Sequence, residues 1–410
     1  MQPPQTPAAA RYELISVAEA YARILEHTPI LDTEHVETVT ALGRVLAEDV
    51  VARQNIPQWP TAAVDGYAIV AADSASERRV LEEIGAGHVG TERVTLGTAA
   101  RIMTGAPIPD GADAVVMVEE TSEHDGIVTL PDGIRSGQNV HRTGIDVTAD
   151  QVVLERGAVI GPPEIGLLCT LGIVEVPVYR RPRVAVVSTG DELVEPAETP
   201  GPGQIRDSNR YAILAAVQDA GGIAISGGIA RDDEAEHERV MTSALAEADV
   251  LLTSGGVSMG TRDLIKPILE RLGTVHFGRI KFKPGKPLTF ATIGSKLVFG
   301  LPGYPVSSLV TFEVFVRPAL LKMQGRRRFE RARVELELER DATRAPDRTE
   351  YQRVVARWEA GRLVARTTGA QSSSRLLSMT GANALAIVEP GSGTVPAGST
   401  LPGVLTGEPE

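Results

Sequence analysis

Three stretches of the chain, Val184–Val187, Val250–Leu252 and Leu297–Phe299, are continuously apolar and stop abruptly at polar, glycine-bearing loops. Unbroken apolar runs of this length fit strands buried on both faces. Helical periodicity predicts helices at 208–220, 234–247, 263–272 and 305–322, and further strands at 223–229 and 288–293. The resulting β-α-β-α order predicts a doubly wound α/β domain over 181–326.

The flanking pattern is different. Tyr67–Val70, Val94–Leu96, Ala114–Val118 and Ile127–Leu130 read as short strands, with a turn at Pro109-Asp110-Gly111, so 57–144 is expected to be a β-rich domain. Val334–Leu338, Tyr351–Trp358, Leu363–Thr367 and Ala384–Val388 predict a small C-terminal β-barrel or sandwich over 327–410. At the other end, Ser16 and Glu19 have capping-box spacing, and Val17, Tyr21, Ile24 and Leu25 share one helical face. A second helix is expected within Val39–Ala52, and Val152–Val178 alternates strands with a helix at Pro163–Leu171. Residues 13–56 and 145–180 are therefore expected to form one α/β linker domain into which the β-rich domain is inserted.

Composition narrows the function. The 410-residue chain has 41 basic and 53 acidic residues, a net charge of −12, which argues against nucleic-acid binding. No apolar run is long enough to span a membrane, and Met1–Arg11 lacks a signal-peptide pattern, so a cytoplasmic protein is expected. Cys169 is the single cysteine; no intrachain disulfide is possible, and its apolar surroundings predict an inert core residue.

An anion bound by so acidic a chain must be met by local groups, and the strand-end loops supply them. Asp249–Asp263 (D-V-L-L-T-S-G-G-V-S-M-G-T-R-D) runs from strand through Gly255-Gly256 towards a helix. That arrangement points N–H groups at an anion, although a plain tight turn fits it as well. Asp263 beside an anion site suggests a bridging cation. Ser188-Thr189-Gly190-Asp191-Glu192 and Gly300–Pro305 end two further strands, and Lys283-Pro284-Gly285-Lys286-Pro287 holds two ammonium groups near one another. Repulsion between them is relieved by an oxyanion.

The candidate carboxylates are Asp65, Asp146, Asp191, Glu192 and Asp263. The candidate anion holders are the Gly255-Gly256 loop with Ser258, Thr104, Lys283, Lys286, Arg353 and Ser373-Ser374, with Pro287 and Pro305 setting loop shape. Carboxylates and cationic anion holders together point to Mg²⁺-assisted chemistry at a phosphate. Asp65 and Asp146 also fit as turn residues, and the lysines as surface groups. His141 and His276 read as ordinary surface or packing residues. No P-loop and no dinucleotide-binding glycine fingerprint is present, which disfavours a kinase or dehydrogenase.

Eight motifs in order resemble the MoeA family, the molybdopterin molybdenumtransferases, and the chain is similar to the E domain of gephyrin. They are A-A-V-D-G-Y-A (62–68), R-I-M-T-G-A-P (101–107), R-T-G-I-D (142–146), S-T-G-D-E-L (188–193), G-Q-I-R-D-S-N (203–209), T-S-G-G-V-S-M-G-T-R-D (253–263), K-P-G-K-P (283–287) and S-S-R-L-L-S-M (373–379). The resemblance implies a MogA-like central domain within a four-part homodimer. It also implies an enzyme that takes adenylated molybdopterin, releases AMP and inserts molybdate with Mg²⁺ or a similar ion. Asp65, Glu192 and Asp263 become the acidic catalytic or metal-handling residues, with Asp146 beside them. Substrate contacts fall to Ser188, Thr189, Gly190, Asp207, Ser254, Lys283, Lys286, Pro287, Arg353 and Ser373 or Ser374. The active site would lie between subdomains of different protomers, with the molybdopterin adenylyltransferase as a further partner. The alternatives are an adenylyltransferase or nucleotide pyrophosphatase on the same α/β domain, or a non-catalytic scaffold. Three positions depart from the family pattern: Tyr304 replaces Asn in L-P-G-N-P, the usual Asn-Ser before Asp65 is missing, and Ala370 replaces a common His.

Overall fold

The computed structural model describes residues 12–256 and 264–410. Its α/β unit is built on one six-stranded sheet. Ile223–Ala230, Arg183–Thr189, Val250–Ser254 and Lys296–Leu301 lie side by side in that order and run parallel. Thr289–Ile293 and Thr274–Phe277 add an antiparallel edge. Successive residues point to opposite faces, and both faces are covered. Val184, Val186, Val250, Leu252 and Phe299 pack on Ile213 and Val217 of helix Asn209–Asp219. Ala185, Val187, Leu251 and Val298 pack on Met241 and Leu245 of helix Glu234–Glu247 and on Ile268 and Leu269 of helix Ile265–Leu272. Burial on two sides explains the unbroken apolar runs.

The chain leaves strand Arg183–Thr189 for a neighbour on one side and then crosses to Val250–Ser254 on the other. Such a reversal opens a crevice at the carboxyl ends of the two strands, where Ser188, Thr189 and Ser254 sit.

The C-terminal region closes on itself. Thr349–Glu359, Arg362–Thr367, Arg333–Leu338, Thr400–Leu405 and Ala384–Val388 form a five-stranded barrel, sealed by pairing of the first with the last. The two-residue strand Phe282-Lys283 joins the barrel from the α/β unit, parallel to Thr349-Glu350. Residues 66–129 carry a further six-stranded sheet. A smaller unit pairs Thr33–Glu37 with Glu175–Tyr179 and Val50-Val51 with Val152–Leu154, beside helix Pro162–Thr170. Helix Val17–His27, capped by the Ser16 hydroxyl accepting from the Glu19 amide at 3.1 Å, buries Ala20 and Ile24 in the α/β core, not in that small unit.

Several expectations are corrected. Val39–Ala52 holds no α-helix: a 3₁₀ turn at Thr38–Thr40 is followed by Gly43 at φ +76°, which continues no helix. Val94–Leu96 is not a strand; it leads through a turn at Leu96-Gly97 into strand Thr98–Ile102. The helix expected over 305–322 is interrupted by a π-turn at Phe312–Val316 before Arg317–Met323. Pro318 lacks the amide needed for a regular bond back along the helix. Cys169 is exposed, because helical rotation that buries Leu168 turns the next residue outwards.

Candidate functional site

The crevice at the switch point widens into a cavity of about 1460 Å³ between the α/β unit and the barrel. Ser188, Thr189, Gly190, Glu192, Asp207, Ser254, Gly255, Gly256, Lys283, Lys286, Pro287, Pro305, Ser373 and Ser374 all line it. Four loops predicted separately as anion holders therefore share one wall. Ser258 and Asp263 lie outside the described residues.

The loop shapes have local causes. Gly255 adopts φ +97°, and a Cβ there would stand 2.8 Å from the Thr189 hydroxyl and 2.9 Å from its carbonyl oxygen. Only glycine allows this approach of the two strand ends. Asn209 starts the first helix and ties the loops together, its side-chain amide donating to Ser254 Oγ and to the Gly303 carbonyl. Asp207, rather than Ser208, caps that helix: its Oδ1 accepts from the Arg210 amide at 3.1 Å and from Ser188 Oγ at 2.9 Å. Its Oδ2 takes the Arg210 Nε at 2.9 Å. Asp207 is fully buried in this pair, so it holds Ser188 in place instead of offering a free carboxylate.

The lysine loop is rooted in the core. Phe282 is buried against Tyr351, ring centres 5.0 Å apart, and against Phe315 at 5.2 Å. Lys283 pairs with Glu350 of the barrel at 3.0 Å. Among the candidate carboxylates, Glu192 is exposed at the cavity wall, whereas Asp191 accepts the Asp232 amide at 3.1 Å.

Arg353, expected among the anion holders, is placed differently from the lysines. It has no solvent exposure and lies behind the wall, donating to Ser378 Oγ at 3.1 and 3.2 Å and to the Ser372 carbonyl at 3.1 Å. Burial pulls its guanidinium pKa below the usual arginine value, with the Glu350 charge opposing. It thus shapes the 371–378 loop whose serines face the cavity. Arg206 and Arg348 are the arginines on the wall itself. Sequence reasoning missed Arg348 and gave Asn209 and Glu350 no role at the site, because nothing local shows which polar residues of strands and helix ends will face the cleft.

Asp65, Thr104 and Asp146 are not brought to this wall. Asp65 is exposed on the inserted unit, where its Oδ1 accepts both the amide and the hydroxyl of Thr104, at 2.6 and 2.7 Å. Those bonds, the backbone one foremost, hold its carboxyl below the ordinary aspartate range. Asp146 is exposed on the loop that pairs back to Ile56. Among the described residues, no three His, Cys, Asp or Glu side chains stand together as a ready metal site. No described helix is long and apolar enough to cross a membrane.

Comparison with known proteins covers most of the chain. Residues 15–172 match the family described as MoeA N-terminal region (domain I and II), 185–322 match the probable molybdopterin binding domain, and 335–403 match MoeA C-terminal region (domain IV). The molybdopterin molybdenumtransferase of Haemophilus influenzae is 36% identical over 395 residues, spanning 95% of this chain and 98% of that protein. Gephyrin of Dictyostelium discoideum is 36% identical over 450 residues, spanning 97% of this chain and 63% of that protein. The crystal structure of the molybdopterin biosynthesis MoeA protein of Pyrococcus horikoshii superposes with a TM-score of 0.83 at 33% identity, over 96% of this chain and all of that one.

Proposed function

The chain belongs to the MoeA family of molybdopterin molybdenumtransferases, and from that membership we propose that it inserts molybdate into adenylated molybdopterin and releases AMP. The observation that carries this reading is the shared wall of the cavity, where loops 188–192, 254–256 and 283–287 gather N–H groups, hydroxyls and two ammonium ions. Cleavage of a phosphoanhydride develops negative charge on both products. Donors fixed in place before the reaction stabilise that charge without reorganising. An acidic protein meets anionic substrates by concentrating such groups in one cleft.

Lys283 and Lys286 would receive the oxyanion, with Arg348 on the same wall. Ser188, Thr189, Ser254 and the Gly255-Gly256 amides would receive phosphate oxygens, and Ser373 and Ser374 would close the barrel side. Glu192 is an exposed oxygen donor of the hard type that Mg²⁺ prefers. In a loaded site it would hold the ion together with substrate phosphates and water, and the ion would neutralise phosphate charge. Asp65, with its carboxyl kept ionised by Thr104, and Asp146 belong to the same chemistry only if a second protomer presents them. The working enzyme is accordingly proposed to be a homodimer, in the cytoplasm, receiving its substrate from a molybdopterin adenylyltransferase.

The experiment is AMP release from adenylated molybdopterin, with and without molybdate and Mg²⁺, on wild type and Glu192→Gln. Molybdate-dependent release that Glu192→Gln abolishes is the expected result. No release from folded protein under any of these conditions would overturn the reading.

A further inference from the structure

The two lysines of the cleft are not equivalent. The Lys283 ammonium lies 3.0 Å from Oε1 of Glu350, whose side chain is 2% exposed, while that of Lys283 is 40% exposed. The other carboxylate oxygen of Glu350 is buried with no hydrogen-bond partner. Backbone pairing sets this geometry: in the parallel register between Phe282-Lys283 and the barrel strand, Lys283 stands opposite Glu350.

A carboxylate withdrawn from water, with one oxygen unsatisfied, depends on its counter-ion, and removing that ion leaves a buried uncompensated charge. Arg353 also senses Glu350, but its donors go to Ser378 and to the carbonyls of Gln371 and Ser372. Lys283 therefore cannot abandon Glu350 to follow a ligand. An ammonium has three N–H donors; with one held by Glu350, others remain for the cleft.

We propose that Glu350 is a positioning and specificity-determining residue for the oxyanion, holding Lys283 as half of a neutral ion pair that offers directed N–H donors without net charge. Lys286 then carries the net charge of the loop. Such a site selects an oxyanion by shape and hydrogen-bond fit more than by charge, and so resists indiscriminate occupation by sulfate. The proposal rests on the reading of this cleft as the molybdate site.

Isothermal titration with sodium molybdate and with sodium sulfate, on the full chain, tests it without requiring turnover. Glu350→Gln keeps the size and the acceptor but removes the charge. It is expected to bind sulfate about tenfold more tightly than wild type at low salt, with a steeper loss as ionic strength rises. Its preference for molybdate over sulfate is expected to narrow. Lys283→Met is expected to weaken both anions. Glu350→Asp, which draws the carboxylate back by one methylene, is expected to fall between wild type and Glu350→Gln, and it carries the test if Glu350→Gln does not fold. Sulfate binding unchanged or weaker in whichever of these two variants folds would overturn the proposal alone, as would anion binding indifferent to Lys283→Met. A wild type that binds neither anion would overturn the reading of the cleft and the proposal with it.

Discussion

Asn209 donates from one side-chain nitrogen to Ser254 Oγ at 2.8 Å and to the Gly303 carbonyl at 2.7 Å. One amide thus fastens the start of the first α/β helix to two strand-end loops of the cleft. Asn209→Ala leaves a hydroxyl and a carbonyl without their donor. It is expected to lower stability by about 1–2 kcal/mol and to raise KM more than it lowers kcat. Urea denaturation and steady-state kinetics check the two halves.

Arg353 holds the 371–378 loop from behind the cleft wall through Ser378 Oγ and the Ser372 carbonyl. Arg353→Met keeps the bulk but releases the Ser372 carbonyl and Ser378. We expect loss of most activity, with the 368–380 segment becoming sensitive to limited proteolysis while the rest of the barrel stays resistant. A variant with normal protease resistance and normal kinetics would show that the guanidinium has no positioning role.

Asp65 and Glu192 stand on different units, and only Glu192 lines the cleft. If each site draws Asp65 from a second protomer, mixing inactive Asp65→Asn with inactive Glu192→Gln restores one intact site in each mixed dimer. Random reassociation of equal amounts then returns about a quarter of wild-type activity, because half the dimers are mixed and each has one of two sites intact. No recovery after verified exchange would place Asp65 outside the shared site.

His276 stacks on His27 with ring centres 3.8 Å apart, and its Nε2 is 3.0 Å from the Thr292 hydroxyl. Burial first, then the charges of His27 and Arg23, hold its pKa below the ordinary value, with Glu26 opposing. A lowered folded pKa means that the unfolded chain takes up the proton first as pH falls. The stability His276 contributes is therefore complete above about pH 6.5 and lost as pH drops through its lowered folded value. Thermal melts between pH 7.5 and 5 should show a shallower acid loss for His276→Asn than for wild type. The difference falls well short of one full proton, since the ring is partly solvated.

Tyr304 begins helix Pro305–Thr311 in an extended conformation, is 61% exposed and makes no side-chain cap bond. Asn in the same position accepts from the helix amides. Tyr304→Asn is expected to gain about 0.5–1 kcal/mol in denaturant unfolding. Its ring lies on the cavity wall, so any change in substrate affinity reports what that ring contacts.

The α/β unit was legible because burial on two faces leaves a one-dimensional trace: Val184–Val187, Val250–Leu252 and Leu297–Phe299 have no polar position to spare. The barrel was legible as strands, but its closure was not, since pairing of Thr349–Glu359 with both Arg362–Thr367 and Ala384–Val388 is a long-range choice. The failed helix at Val39–Ala52 and the exposed Cys169 show the limit of local pattern, which fixes what a segment prefers and not what covers it.

The sequence alone determined which loops carry residue types able to meet an anion, because glycine pairs, lysine spacing and strand-end serines are local features. Only the tertiary structure decided which of those loops share a wall. It buried Arg353 and Asp207 in supporting roles, kept Asp65 away from the cleft, and set Glu350 against Lys283. The Lys283–Glu350 pair and the burial of Arg353 depend on groups that are distant in sequence losing water together, and desolvation is a property of the packed chain, not of any one segment.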